Sequence, residues 1–137
     1  MIIYCTGAKR GNESFIKLYK DLISLIENLG ITVLAELSNK FISTIPLTDN
    51  QIYKRNLKWI DGSKIVIAEV SGPCLEVGFE IAYAIYECKT PVLAIHTADS
   101  SVPRMLSGCD YPLITIHVYR DTNELKSIIE NFISKNS

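Results

Sequence analysis

Five short, nearly continuous apolar runs separated by longer segments of helical period constrain this chain more than anything else in it. The runs are Met1 to Cys5, Ile31 to Ala35, Ile65 to Val70, Pro91 to Ile95 and Leu113 to Val118. Each is long enough for a buried strand and too short for a buried helix. Between the first two, Phe15, Tyr19, Leu22, Ile26 and Leu29 recur at three and four residues, and Gly30 stands where a helix needs a left-handed residue to stop. Thr48 and Gln51 form a capping-box pair opening a helix whose inward stripe runs through Ile52, Asn56 and Ile60. Leu75 to Cys88 reads as a further helix, and Asp121 with Glu124 caps a last one carrying Leu125, Ile128, Ile129 and Phe132 inward. The loop from Ser38 to Pro46 shows no period of its own.

Strands joined by helices of this length cross over right-handedly and make a parallel sheet covered on both faces. The expectation is an α/β, flavodoxin-like three-layer sandwich with a five-stranded parallel sheet in the order 2-1-3-4-5. In that order the strand direction of growth reverses between strands one and three, so the loops after Cys5 and Val70 should face each other and hold the ligand.

With 137 residues, 47% hydrophobic and 21% charged, residues 1–137 are read as a single domain with an ordinary globular composition. Lysine and arginine number 14 against 15 acids, without a basic run able to track a nucleic-acid polymer. Neither a signal peptide nor a membrane span is legible, and Cys5, Cys74, Cys88 and Cys109 fall at spacings that suit neither zinc nor a disulfide framework. Reduced thiols in a cytoplasm are the expectation, with no metal and no cofactor.

Three residues stand out chemically. Glu80 is the only charge between Val77 and Tyr86, one turn inside a helix that starts at the ligand end of the sheet. The helix amides and dipole favour its ionised form, which suits either a nucleophile or a capping carboxylate. Asn56 lies on an apolar stripe, so its amide should point inward and be satisfied by a backbone group or a ligand. Tyr4 near the end of the first strand could orient a carboxylate, or simply fill the core. The loop Gly7, Ala8, Lys9, Arg10, Gly11 could present amides to an anion, without any Walker pattern. His96 and His117 read as structural.

Three segments, IYCTGAKRG, RNLKWIDGSKIVIAEVSGPCLEVGFEIAYA and VPRMLSG, occur in an order and spacing that resemble the 2'-deoxynucleoside 5'-phosphate N-hydrolases, within the nucleoside 2-deoxyribosyltransferase superfamily. The likeness runs nearly the whole chain. It implies that Glu80, in the step Gly78, Phe79, Glu80, attacks C1' of a deoxyribose to give a glycosyl-enzyme, which then passes to water or another base. It further implies that Tyr4 orients the nucleophile, and that Gly7 to Gly11, Cys74, Glu76, Gly78, Arg104 and Met105 surround the substrate. Because the Met105 loop reaches a neighbouring subunit in such proteins, the resemblance implies a homodimer with shared active sites.

The departures from the family pattern are chemical. Asn56 stands where many relatives place an aspartate, and an amide cannot protonate a departing base. A glycine-serine step is here Gly7-Ala8, a proline-serine-leucine-glycine run is Pro73-Cys74-Leu75-Glu76, and a serine gives way to Arg104. Glu76 beside a phosphate dianion is repulsive. Arg104 with Lys9 or Arg10 could offset it, or Glu76 could accept from an unphosphorylated 5'-hydroxyl. The alternatives to a nucleotide N-hydrolase are therefore a deoxyribosyltransferase on free nucleosides and a nucleotide-binding protein without turnover.

Overall fold

The computed structural model describes residues 1–41 and 45–137. Five strands, β1 (Ile2–Thr6), β2 (Thr32–Leu34), β3 (Ile65–Glu69), β4 (Val92–Thr97) and β5 (Ile114–Tyr119), form one parallel sheet in the order β2-β1-β3-β4-β5. This is the order expected from the sequence. Helices α1 (Glu13–Asn28), α2 (Asp49–Asp61), α3 (Leu75–Ala82), α4 (Arg104–Ser107) and α5 (Thr122–Lys135) complete the described structure with a short 3-10 turn at Asn39–Phe41 and a π-helical turn after α3. None of the described helices is long and apolar enough to cross a membrane. Residues 42–44, part of the aperiodic loop, lie outside the described residues.

The alternation of side chains along each strand splits the core in two. Ile3, Cys5, Ile65, Ile67, Leu93 and Ile95 face α1 and α5, whereas Tyr4, Val66, Ala68, Val92 and Ala94 face α2 and α3. The edge strand β5 alternates between half-buried and exposed, as an outer strand should.

The local signals hold where they rest on hydrogen-bonding chemistry. Thr48 and Gln51 form the reciprocal capping box, and Gly30 adopts a left-handed φ of +82° just past α1. At α5 the Asp121 carboxylate accepts from the Glu124 amide, while the Glu124 side chain accepts from the amide of Arg120. The segment expected as one helix from Leu75 to Cys88 changes character at Tyr83, where a π-helical turn (Tyr83–Glu87) closes with the Cys88 amide donating to the Tyr83 carbonyl. The wider turn accompanies a hydrogen bond of 2.6 Å from the Tyr83 hydroxyl to Asp61 on α2.

Helix α1 packs very closely on the ligand end of the sheet. A Cβ on Gly7 would lie 2.7 Å from Cγ of Tyr19, and one on Gly72 would lie 2.5 Å from Cγ of Phe15. Both loops that flank the reversal point are thereby pulled onto α1 and face each other.

Candidate active site

The period of two along β1 puts Tyr4 and Thr6 on the same face of the sheet, toward α3. Glu80, only 4% exposed, meets both from the second turn of α3. The Tyr4 hydroxyl donates to one carboxylate oxygen, and the Thr6 hydroxyl donates to the other at 2.7 Å. The Lys9 ammonium lies 3.5 Å from that second oxygen and 3.2 Å from the Thr6 hydroxyl oxygen. Its side chain is itself almost wholly buried, resting over the ring of Tyr19. A buried carboxylate is tolerable on these terms, since it has hydroxyl donors and a cation around it. Burial and the neighbouring Glu80 push the Tyr4 hydroxyl well above the usual phenol value, so it stays a donor.

In front of Glu80 a cavity of about 400 Å³ opens between α2 and α3. Asp49, Ile52, Tyr53, Asn56 and Leu57 form one wall. Leu75, Glu76, Phe79 and Glu80 form the other, with Arg10 and Glu36 at the ends. Tyr53 and Phe79 meet edge to face at 6.3 Å, giving the cavity an aromatic rim. Its size and its mix of apolar walls with a few convergent polar groups suit a small aromatic ligand.

Of the residues singled out from sequence, Glu80, Asn56, Arg10 and Glu76 line this cavity, and Tyr4 stands directly behind Glu80. Gly7 and Ala8 lie in the loop below, buried, and Gly11 turns that loop with a φ of +96°. Cys74, Gly78 and Met105 instead line a second, apolar hollow of about 570 Å³ on the outer side of α3, with Leu106 and Tyr86. Arg104 is exposed on α4 and lines neither.

Two of these positions find partners within the chain. The oxygen of the Asn56 amide is held by its neighbour rather than by backbone: Arg55 donates to its Oδ1 from Nε at 3.1 Å and Nη2 at 3.0 Å. The Glu76 carboxylate has Arg10 at 3.3 Å and Lys9 at 3.8 Å. Lys9 and Arg10 thus spend their charge on this chain's own carboxylates, because α3 brings Glu76 and Glu80 to the same loop one turn apart.

Thr6, Glu36 and Arg55 went unrecognised in the sequence. Thr6 had a signal, since it lies two residues from Tyr4 on the same strand face. Glu36 had none, coming from a loop whose path no period predicts.

No protein-family model matches the chain. A protein of Methanosarcina mazei assigned as a 2'-deoxynucleoside 5'-phosphate N-hydrolase is 33% identical, covering 96% of this chain and 83% of that one. Among solved structures, the 2-deoxyribosyltransferase of Bacillus psychrosaccharolyticus superposes with a TM-score of 0.71 at 16% identity, over 92% of this chain and 90% of that one. A CMP N-glycosidase of Clostridium botulinum superposes with a TM-score of 0.69 at 17% identity, over 96% of this chain and 99% of that one.

Proposed function

Because the chain belongs to the 2'-deoxynucleoside 5'-phosphate N-hydrolase family, we propose that it hydrolyses the N-glycosidic bond of 2'-deoxynucleoside 5'-monophosphates, with Glu80 as nucleophile. The observation that carries the reading is a carboxylate buried beside a cation, oriented by two hydroxyls, and lining a cavity of nucleoside size. A Glu80 oxygen bonds to C1' as the C1'–N bond breaks and its electron pair leaves with the base. Water then attacks C1', the ester C–O bond breaks, and the carboxylate is restored. Tyr4 and Thr6 hold the two carboxylate oxygens, and the Lys9 ammonium lies 3.5 Å from one of them. Tyr53 and Phe79 offer faces for the base.

The 5'-phosphate would meet the Gly7 to Gly11 loop and the first turn of α3, whose N-cap Cys74 makes no side-chain capping bond. One observation favours a second reading, base exchange on unphosphorylated deoxynucleosides: both cations of the loop are already paired with glutamates. A panel of deoxynucleosides and their monophosphates, with and without a free purine, separates the two by product. Free deoxyribose 5-phosphate supports hydrolysis of nucleotides; exchanged nucleoside without free sugar rejects hydrolysis. Trapping of a 2-fluoro sugar on Glu80, seen as an added mass on its peptide, supports the nucleophile, and base release without any such adduct on the peptide removes it.

The chain is further proposed to act as a homodimer through the outer side of α3. Leu75 and Met105 are 95% and 87% exposed beside the apolar hollow, more than a free surface readily carries. Analytical ultracentrifugation of the wild type and of Met105→Glu tests this, a monomeric wild type being the adverse result.

A further inference from the structure

We propose that Arg55 is a positioning residue that turns the Asn56 amide so that its Nδ2 hydrogens face the cavity, and that the substrate meets this position with a hydrogen-bond acceptor, a ring nitrogen or carbonyl oxygen of its base. The inference rests on the N-glycosidase reading and names what that site recognises.

A guanidinium carries only donors. An amide held by one must therefore turn its oxygen toward it. Arg55 grips Oδ1 of Asn56 from both Nε and Nη2. The same Nη2 donates to Glu36 at 2.9 Å, and the guanidinium carbon lies 4.4 Å from the centre of the Trp59 ring. Carboxylate and indole thus hold the fork in place, so rotation of the amide would break two charge-assisted bonds at once. Asn56 is 5% exposed and lines the cavity, whereas Arg55 is not part of its wall. Its Nδ2 donates to no described residue, and no described buried side-chain nitrogen or oxygen lacks a partner. That nitrogen therefore retains contact with the cavity.

The consequence is a reversal of sense. An aspartate at this position presents an acceptor or, when protonated, an acid; this amide presents only donors. As the C1'–N bond breaks, the electron pair spreads over the base onto its ring nitrogens and carbonyl oxygens. A donor fixed opposite one of them stabilises that charge without giving up its proton, and the guanidinium polarises the amide to make it a stronger donor. The departing base then takes its proton from water.

The test uses the Glu80→Gln protein, which binds nucleotide without consuming it, with and without Arg55→Met, a substitution that keeps an apolar stem over Trp59 and removes the donors. Affinities are measured by calorimetry for dAMP and its 3-deaza and 7-deaza analogues, and for dUMP and its 2-thio and 4-thio analogues. Loss of the contacted acceptor should weaken binding about ten- to a hundred-fold in Glu80→Gln. With Arg55→Met added, the same substitution should matter less than about threefold, and Arg55→Lys should fall between. Equal losses with and without Arg55, or tolerance of every analogue, overturn the proposal. Base release from the parent nucleotides by wild type is measured in parallel: its absence strikes the N-glycosidase reading, while the affinity pattern judges the acceptor contact by itself.

Discussion

Two glutamates end up buried at the carboxyl end of this sheet, on opposite faces, and each accepts from a tyrosine hydroxyl. Glu80 meets Tyr4 and Thr6 and has the Lys9 ammonium at 3.5 Å. Glu69, at the end of β3, accepts from the Tyr119 hydroxyl at 2.5 Å and from the Ser71 amide at 2.7 Å, all neutral donors. Burial pushes the Glu69 carboxyl up from its ordinary value of 4.5, and its hydrogen bonds only partly offset that. Equal burial thus gives unequal chemistry. A neighbouring cation and a cavity that can admit an electrophile suit Glu80 to the proposed role of nucleophile; Glu69, without them, is suited to pin the chain. Glu69 pins the Ser71 loop leading into α3, and the Ser71 hydroxyl in turn accepts from the Thr97 amide at 2.9 Å.

The widest separation should come from the same substitution at both sites. On the proposed mechanism Glu80→Gln removes the attacking oxygen and should lower turnover by about four orders of magnitude or more, with little change in Tm. Glu69→Gln should leave kcat within about tenfold, because Glu69 faces away from the cavity wall. Deoxyribose 5-phosphate release by both variants checks this, and equal loss in the two would erase the distinction between nucleophile and pin.

The tyrosines sharpen the comparison further. Tyr4→Phe leaves Glu80 with Thr6 and Lys9 but loses its orienting hydroxyl, so kcat should fall about ten- to a hundred-fold while KM changes little. Tyr119→Phe should spare kcat and instead cost about 1 to 3 kcal/mol of stability, since it strips a donor from a buried carboxyl. Steady-state kinetics and denaturant melts on the pair read the two effects separately.

How much of this was legible in the sequence depends on the range of the interaction. Strand order, the Thr48 capping box, the Gly30 stop and the inward turn of Glu80 follow from period and local hydrogen bonding, which a linear reading captures. Glu69 hid inside an apolar run, where one carboxyl two residues before a loop breaks no pattern. Arg55 hid for another reason: adjacent residues on a helix do not ordinarily face each other, and only the reach of the guanidinium around Asn56 joins them. Arg104 lies on α4, outside the cavity wall of its own chain, on the loop that the resemblance assigns to a neighbouring subunit's site.

The smallest effect is the one that most directly reads the charge state of the pin. With its folded-state value raised above the unfolded 4.5, Glu69 holds a proton in the native chain at pH values where the unfolded chain has released it. The native state then binds more protons, so unfolding free energy declines with rising pH. This contribution is complete below 4.5 and is lost as pH climbs through the folded value. Glu69→Gln cannot titrate, so its Tm relative to wild type should increase by a few degrees between about pH 4 and about pH 7.5 in a chain of this size. Glu80→Gln leaves Glu69 and its partners in place, so the Glu69 contribution cancels from its difference with wild type. Melting curves of wild type and both variants across this range would expose the difference, and a flat Glu69→Gln difference would mean that the Ser71 amide and Tyr119 hydroxyl keep the buried carboxyl ionised after all.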